Sequence, residues 1–308
     1  MNSGTINDEL LLEALLRDRC AIPQTRFTIS RCRGGDIHRS YRVDTSLPLD
    51  GHRALFVKLN RLEYRPVIES EYHSLQILAI EHELDYPQPL RIAADQALAC
   101  LIMVYHDLAG ISEQPRSEVA SAQLGRILAQ QHRRSAGYFG WDQDNHIGLT
   151  AQHNRPSEDW LQFYHLQRLQ PQLALACEQG LDQTLADRVA KLAGSLKAYF
   201  TDYQPVPSLL HGDLWSGNAG YDLNLGKPML FDPAPYYGDR EADIAMTELF
   251  GGFTNGFYQA YQNEWPLDPG YSKRKPLYNL YHALNHFNLF GKGYATMVRS
   301  LLNELSLG

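Results

Sequence analysis

The decapeptide LLHGDLWSGN, residues 209–218, decides how the rest of the chain is read. Asp213 stands five residues before Asn218, behind a Leu209–Leu210 pair that reads as the end of a short strand. A carboxylate and an amide oxygen on five residues of tight loop can be aimed at one point. Phosphoryl transfer asks for that pair: a carboxylate to orient a hydroxyl and take its proton, and an oxygen donor for a magnesium ion. The alternative is an Asp/Asn surface turn after a strand. A chance match of His, Gly, Asp and Asn at these offsets is on the order of 1 in 500, from average residue usage.

A partner lies downstream in MLFDPAP, residues 229–235. Asp232 ends an apolar strand 14 residues after Asn218 (232 − 218), and the intervening YDLNLGKP reads as a hairpin turn that brings Asn218 and Asp232 together. Upstream, Lys58 sits inside the apolar strand RALFVKLN. A buried lysine is costly unless paired, although an edge-strand lysine can reach solvent along its stem. Two acids of the next helix, Glu69 and Glu71, compete as its partner. Ile68, Leu75 and Leu78 lie at −3, +4 and +7 from Glu71, which puts Glu71 on the inward stripe. Glu69 shares a polar face with His73 and Gln76, so Glu71 is the expected partner. Ahead of Lys58, RCRGGDIHRS carries Gly34–Gly35 between two strands. By itself this is a hairpin turn; its position makes its backbone N–H groups, with Ser40, candidates for phosphate contact.

The chain has 308 residues, 44% apolar and 20% charged, which suits a globular protein with a sizeable core. Its net charge of −7 (28 − 35) gives no basic footprint for nucleic acid. Cys20, Cys32, Cys100 and Cys177 are widely spaced without a CxxC, so neither a zinc site nor a disulfide framework is expected. Reduced thiols and an N-terminus unlike a signal peptide point to a cytoplasmic protein. The longest apolar run, Leu98 to Tyr105, is 8 residues, a buried strand and too short to cross a bilayer.

Periodicity changes once along the chain. Asn7 can cap a first helix with Leu11, Leu12, Leu15 and Leu16 on one side. RFTISRC, RSYRVDT and RALFVKLN read as strands, and Pro66 opens a helix to about Leu84. After Gly110 the pattern is helical: from Ser117 to about Arg134, from Ser157 through Cys177 with a bend at Pro171, and from about Asp182 with Leu185, Val189, Leu192 and Leu196 on one stripe. Short strands are expected around Ser208–Leu210 and Met229–Phe231, and the tail from Leu277 to Leu305 is helical. The expected fold is α+β, with a small β-rich lobe over 1–105 and a larger helical lobe over 106–308. Such a junction makes a good ligand cleft.

These motifs resemble the fructosamine kinase (ketosamine kinase) family, relatives of aminoglycoside and choline kinases with a bilobal protein-kinase-like fold. HGDxxxxN alone marks only the broad superfamily. The resemblance also runs through GGDIHRSYRV, FVKLN, ESEYHSLQIL, FGWDQDNHIGLTAQ, DWLQFYHLQRLQPQL, FDPAPYYGDREADIAM, ELFGGF and YHALNHFNLF, nearly the whole chain. It implies ATP- and Mg2+-dependent phosphorylation of a ketosamine's sugar, at O3 in the best-known members. The product is unstable and releases the amine, so the implied role is deglycation of amines and proteins. By matching motif, Asp213 is the base, Asn218 and Asp232 hold magnesium, Lys58 and Glu71 orient phosphate, and backbone groups near His106 and Leu108 meet adenine.

The chain departs from the family at two places. Asp36 stands where many members carry a glycine-loop cysteine, so redox control through that loop is expected to be weak. FDP replaces the DFG of protein kinases, and no APE-like segment follows. Asp243 in GDREADIAM reads as a structural helix-start carboxylate. Trp215 is either a packing residue or a sugar-stacking wall, and His286 and Asn285 share that ambiguity. LNHFNLFGKGY holds no acid, while Trp215, His286, Phe287 and the asparagines suit a compact polyol better than a polycationic aminoglycoside. The two acids of EDW, 158–160, are the exception that could meet an amine. Competing readings are a kinase of another small molecule (an aminoglycoside, choline or a free sugar) and a nucleotide-binding pseudokinase.

Overall fold

The structure is a computed structural model describing residues 3–20, 26–32, 37–79, 84–113 and 117–307. Gly34, Gly35 and Asp36 lie outside the described residues. The chain divides into two compact units, Met1–Asp107 and Leu108–Gly308.

The first unit contains α1 (Ser3–Arg19), β1 (Phe27–Arg31), β2 (Arg39–Leu49), β3 (His52–Arg61), α2 (Arg65–Leu78), β4 (Pro89–Ala94) and β5 (Leu98–Val104). Its strands form one antiparallel sheet in the order β1-β2-β3-β5-β4. Alternation sorts β3 between two faces. Leu55, Val57 and Leu59 pack with Tyr41, Val43, Cys100 and Ile102 in one core, which α1 closes with Leu12, Leu15 and Leu16. Phe56, Lys58 and Asn60 therefore point to the other face. α2 packs against β4 and β5 and buries Val67, Ile68, Leu75 and Leu78. Three expectations need correction. α1 begins before Asn7, which is thus inside the helix rather than its cap. Leu11 is exposed, because its position falls beyond the stripe of Leu12, Leu15 and Leu16. α2 ends at Leu78 rather than Leu84, and β4 went unread because PLRIAA mixes Pro, Arg and Ala without alternation.

The second unit runs β6 (Leu108–Gly110), α3 (Ser117–His132), β7 (Asn145–Ile147), β8 (Thr150–Gln152), α4 (Trp160–Tyr164), α5 (Gln170–Glu178), α6 (Gln183–Ala193), β9 (Ser208–Leu209), β10 (Ala219–Asp222), β11 (Lys227–Leu230), β12 (Tyr237–Gly238), α7 (Glu241–Leu249), α8 (Asn255–Glu264), α9 (Tyr271–Phe290) and α10 (Ala295–Leu307). α9 is the central helix, packed on α5, α7 and α10. Asp159, not Ser157, caps α4, accepting from Gln162 N at 3.0 Å. The break before α5 is a wide π turn over His165–Leu169 rather than a bend at Pro171. Pro171 has no N–H for the carbonyl of Gln167, and Arg168 Nη1 takes that carbonyl at 2.8 Å. The wholly buried Arg168 also donates to Asn154 Oδ1 at 2.7 Å and lies over the Tyr236 ring at 3.9 Å. Asp182 caps α6 through Thr184 N and Leu185 N, and Leu185, Val189 and Leu192 form its buried stripe.

α3 and α8 approach closely at Gly125, where a Cβ would stand 2.2 Å from the Phe257 carbonyl oxygen. Backbone cannot yield as a side-chain tip can. Gly125→Ala is expected to destabilise the protein by about 1–3 kcal/mol, read as a lower urea midpoint at unchanged slope. An unchanged midpoint would show that the two helices separate freely.

Candidate active site

In the first unit, Lys58 and Glu71 meet on the sheet face opposite α1. Lys58 Nζ lies 2.5 Å from Glu71 Oε1, with Lys58 buried and the Glu71 side chain 11% exposed. Glu69 instead takes Arg65 at 2.7 Å on the exposed face. Ser40 is directly opposite Lys58 in the β2–β3 register and is also buried. Cys32 follows β1, its N–H bonded to Ser40 O at 2.8 Å. Burial raises the Cys32 thiol pKa, partly offset by a backbone hydrogen bond and charge at Arg42, which disfavours the thiolate. His106 closes the first unit one residue before Asp107, and Leu108 opens the second in β6, paired with Asp222 of β10.

The second unit assembles the two acidic motifs on one hairpin. β10 and β11 pair from Ala219↔Leu230 to Asp222↔Lys227. One step beyond the hairpin's open end, Phe231 N donates to Asn218 O at 3.1 Å. Asn218 and Asp232 thus flank the same end. The strand partner differs from expectation: Met229–Phe231 faces Ala219–Asp222, a strand too short and Gly-containing to read, and Ser208–Leu209 pairs with β12. Asn218 Nδ2 donates to Asp213 O at 2.9 Å and to Asp213 Oδ2 at 3.3 Å, which turns Asn218 Oδ1 away as an acceptor. Asp232 is held at φ 55°, a left-handed conformation that costs a non-glycine residue on the order of 1–3 kcal/mol.

Gly212 ties the motifs together. At φ +83° its missing Cβ would lie 1.9 Å from the Ala234 carbonyl oxygen, so only glycine lets the loop press against the segment after Asp232. His211 bridges the same two segments: Nε2 donates to Phe231 O at 3.0 Å, and Nδ1 accepts from Asp213 N at 3.2 Å. Burial lowers the pKa of this imidazole.

Asp243 holds the loop from beneath. Its Oδ2 accepts from His211 N at 2.7 Å and from His132 Nε2 at 3.1 Å, and its Oδ1 from Gly212 N at 2.9 Å. Burial alone would raise its pKa; the His132 hydrogen bond and the nearby imidazoles hold it below the usual value. His132 Nδ1 in turn meets Tyr261 Oη at 2.8 Å, and Tyr261 accepts from Arg240 Nη1 at 3.1 Å. The sequence assigned Asp243 a structural role but gave no sign of His132 and Tyr261, which pair across 129 residues of chain. Asp213 carries the opposite shift: burial first, then the Asp232 charge, push its pKa up to about 7 against the Asn218 hydrogen bond. A carboxylate at that value can accept a proton near neutral pH.

The other predicted residues divide between surface and core. Trp215 is 36% exposed and meets Phe250 edge-on. His286 is half-buried, its Nδ1 bonded to His282 O at 2.9 Å. Phe287 belongs to the core, not to a pocket wall, because it faces inward on α9. Asn285 accepts from Gln172 Nε2 at 3.2 Å inside the core. Asp159 is engaged as a helix cap. Among the described residues no group of three or more His, Cys, Asp or Glu side chains could hold a metal ion. The donors at hand are Asn218 and Asp232, hard oxygen ligands that suit Mg2+ when phosphate oxygens and waters complete the shell.

A sheet-and-helix fold with these motifs defines a phosphotransferase of the kinase-like class. The profile of the family described as Fructosamine kinase matches residues 13–307, and the chain belongs to that family. A Vibrio parahaemolyticus protein named a probable ketoamine kinase is 38% identical over 304 residues, 98% of this chain and 97% of the relative. The chloroplastic protein-ribulosamine 3-kinase of Arabidopsis thaliana is 38% identical over 254 residues, 82% of this chain and 76% of that protein. The crystal structure of a candidate fructosamine-3-kinase from Haemophilus somnus superposes with a TM-score of 0.80 at 25% identity, covering 96% of each chain. The protein is a kinase acting on ketosamines.

Asp243→Asn is expected to cost about 3 kcal/mol of stability, since buried N–H donors lose a charged acceptor. Denaturant unfolding measures it, and wild-type stability would contradict the anchoring. Lys58→Met and Glu71→Gln should lower activity non-additively in a double-mutant cycle, because they form one buried pair. Fully additive losses would mean that the ion pair has no part in activity.

Proposed function

We propose that this chain transfers the γ-phosphoryl group of ATP to O3 of a ketosamine sugar, with Asp213 as the base. The observation that carries the reading is the convergence of Asp213, Asn218 and Asp232 at one end of the β10–β11 hairpin. Asp213 orients the acceptor hydroxyl and takes its proton as the oxygen attacks phosphorus and the bond to ADP breaks. Asn218 Oδ1 and Asp232 hold Mg2+, which neutralises phosphate charge when bound. Lys58, kept in place by Glu71, orients the α- and β-phosphates. Ser40, with Gly34 and Gly35, covers the phosphates, and backbone groups at His106 and Leu108 meet adenine. Trp215 and His286 face the sugar. The 3-phosphorylated ketosamine releases its amine, so the reaction serves deglycation, in the cytoplasm.

The test is ATP consumption with fructoselysine, ribuloselysine, kanamycin and unmodified sugars side by side. Turnover with the ketosamines is expected. Turnover of kanamycin or free sugars alone would move the enzyme to another acceptor class, and ATP binding without turnover on any would leave a pseudokinase. Asp213→Asn should lower kcat by ~10²–10⁴-fold and leave ATP affinity nearly intact, whereas Asp232→Asn should weaken Mg2+-dependent ATP binding. Full activity in Asp213→Asn would reject the base assignment.

The raised Asp213 pKa gives a pH dependence with a definite sign. The ionised form is the base, so kcat/KM for the acceptor should fall tenfold per unit as pH drops below about 7. Asp232 supplies part of the shift, so higher Mg2+ should move this limb to lower pH. A limb insensitive to Mg2+ would show that the cation does not reach Asp232.

A further inference from the structure

Five rings form a continuous row in the second unit. Trp215, two residues after Asp213, meets Phe250 with centroids 6.2 Å apart. Phe250 lies 4.8 Å from His286. His286 lies 5.5 Å from Phe290 and 5.2 Å from Tyr294, which are 6.0 Å from each other. The row begins on the loop that carries the base and runs outward over the end of α7 to the end of α9 and the turn beyond. Every exposed Phe or Trp among the described residues belongs to it: Trp215 at 36%, Phe250 at 37% and Phe290 at 48%. Large apolar rings left open to water in one contiguous patch mark a binding surface.

The chemistry of the row selects its occupant. A ketosamine has two ends, a sugar and a secondary amine, and the amine is cationic near neutral pH. The acid two residues before Phe250 is already engaged. The nearest acid on α7, Glu248, accepts from Tyr271 Oη at 2.5 Å and from Lys275 Nζ at 2.8 Å. Lys292, between Phe290 and Tyr294 in sequence, reaches instead toward Gly180, and burial lowers the pKa of His282 and His286, which disfavours their cationic forms. Aromatic faces carry negative charge density and attract an ammonium group. With the acceptor hydroxyl at Asp213, two residues before Trp215, the row leads away from the base in the direction open to the amine and its substituent.

We propose that this row is the binding site for the ammonium group of the acceptor, held by cation–π contact, with Phe250 as the specificity-determining ring. The substituent on the amine leaves over Phe290 and Tyr294, the end at which Phe290 is 48% exposed. This rests on the ketosamine kinase reading above and deepens it, since it separates amine recognition from sugar recognition.

The experiment compares fructoselysine with a neutral counterpart in which an ether oxygen replaces the amine nitrogen. kcat/KM is measured for wild type, Phe250→Leu, Phe250→Tyr and Phe290→Leu. Phe250→Leu keeps an apolar side chain but loses the π face. It should lower kcat/KM for the amine about five- to tenfold, through KM, while the ether and ATP are unaffected. Phe250→Tyr should retain wild-type selectivity, and Phe290→Leu should show a smaller loss of the same kind. Equal losses on both acceptors would make Phe250 a plain apolar wall, and no loss on either would remove it from the site; each overturns the proposal. A wild type that turns over no ketosamine would overturn the parent reading and this one together, whereas an active wild type with insensitive variants overturns this one alone.

Discussion

One buried carboxylate governs the geometry of the second unit. Asp243 receives the backbone of His211 and Gly212 and the ring of His132. Two consecutive N–H groups leave a strand end with no sheet partner, and unpaired buried donors are costly. Asp243 satisfies both and so fixes where Asp213 emerges. The negative charge that does this is itself stabilised by His132, which is oriented by Tyr261 and Arg240. The position of Asp213 therefore depends on α3, α7 and α8.

The same economy appears in how the hairpin serves both acidic motifs. Pressing Gly212 onto Ala234, bridging with His211 and pairing Asn218 with Phe231 are three independent ties between the Asp213 loop and the Asp232 segment. Each uses backbone or an imidazole rather than a carboxylate. The Asp232 charge brought close also raises the pKa of Asp213. The raised proton affinity of Asp213 is thus a by-product of its convergence with Asp232.

Much of this was legible in the sequence, for particular reasons. Lys58 and Glu71 could be paired because a strand has period 2 and a helix 3.6, and the apolar neighbours of each reveal its inward face. The Asp213–Asn218 loop could be read because a short spacing encodes a local geometry. β10 could not, since AGYD is four residues and its pairing is dictated by Asn218 and the hairpin around it. The π turn was invisible because it depends on Arg168 capturing a carbonyl that Pro171 leaves unpaired. His132 and Tyr261 gave no signal because they pair across 129 residues of chain. The aromatic row was half legible: Trp215 and His286 stood out, but Phe250, between them in space, lies on a different helix end.

The alternation in β3 has a consequence for how the chain finds its register. Leu55, Val57 and Leu59 face the α1 core while Lys58 faces Glu71. A slip by one residue would drive an ammonium group against Leu12 and Leu16 and strand a carboxylate on the other side of the sheet. The lysine thus disfavours a misaligned sheet, because in the native register its ammonium group meets Glu71 rather than the leucines of α1.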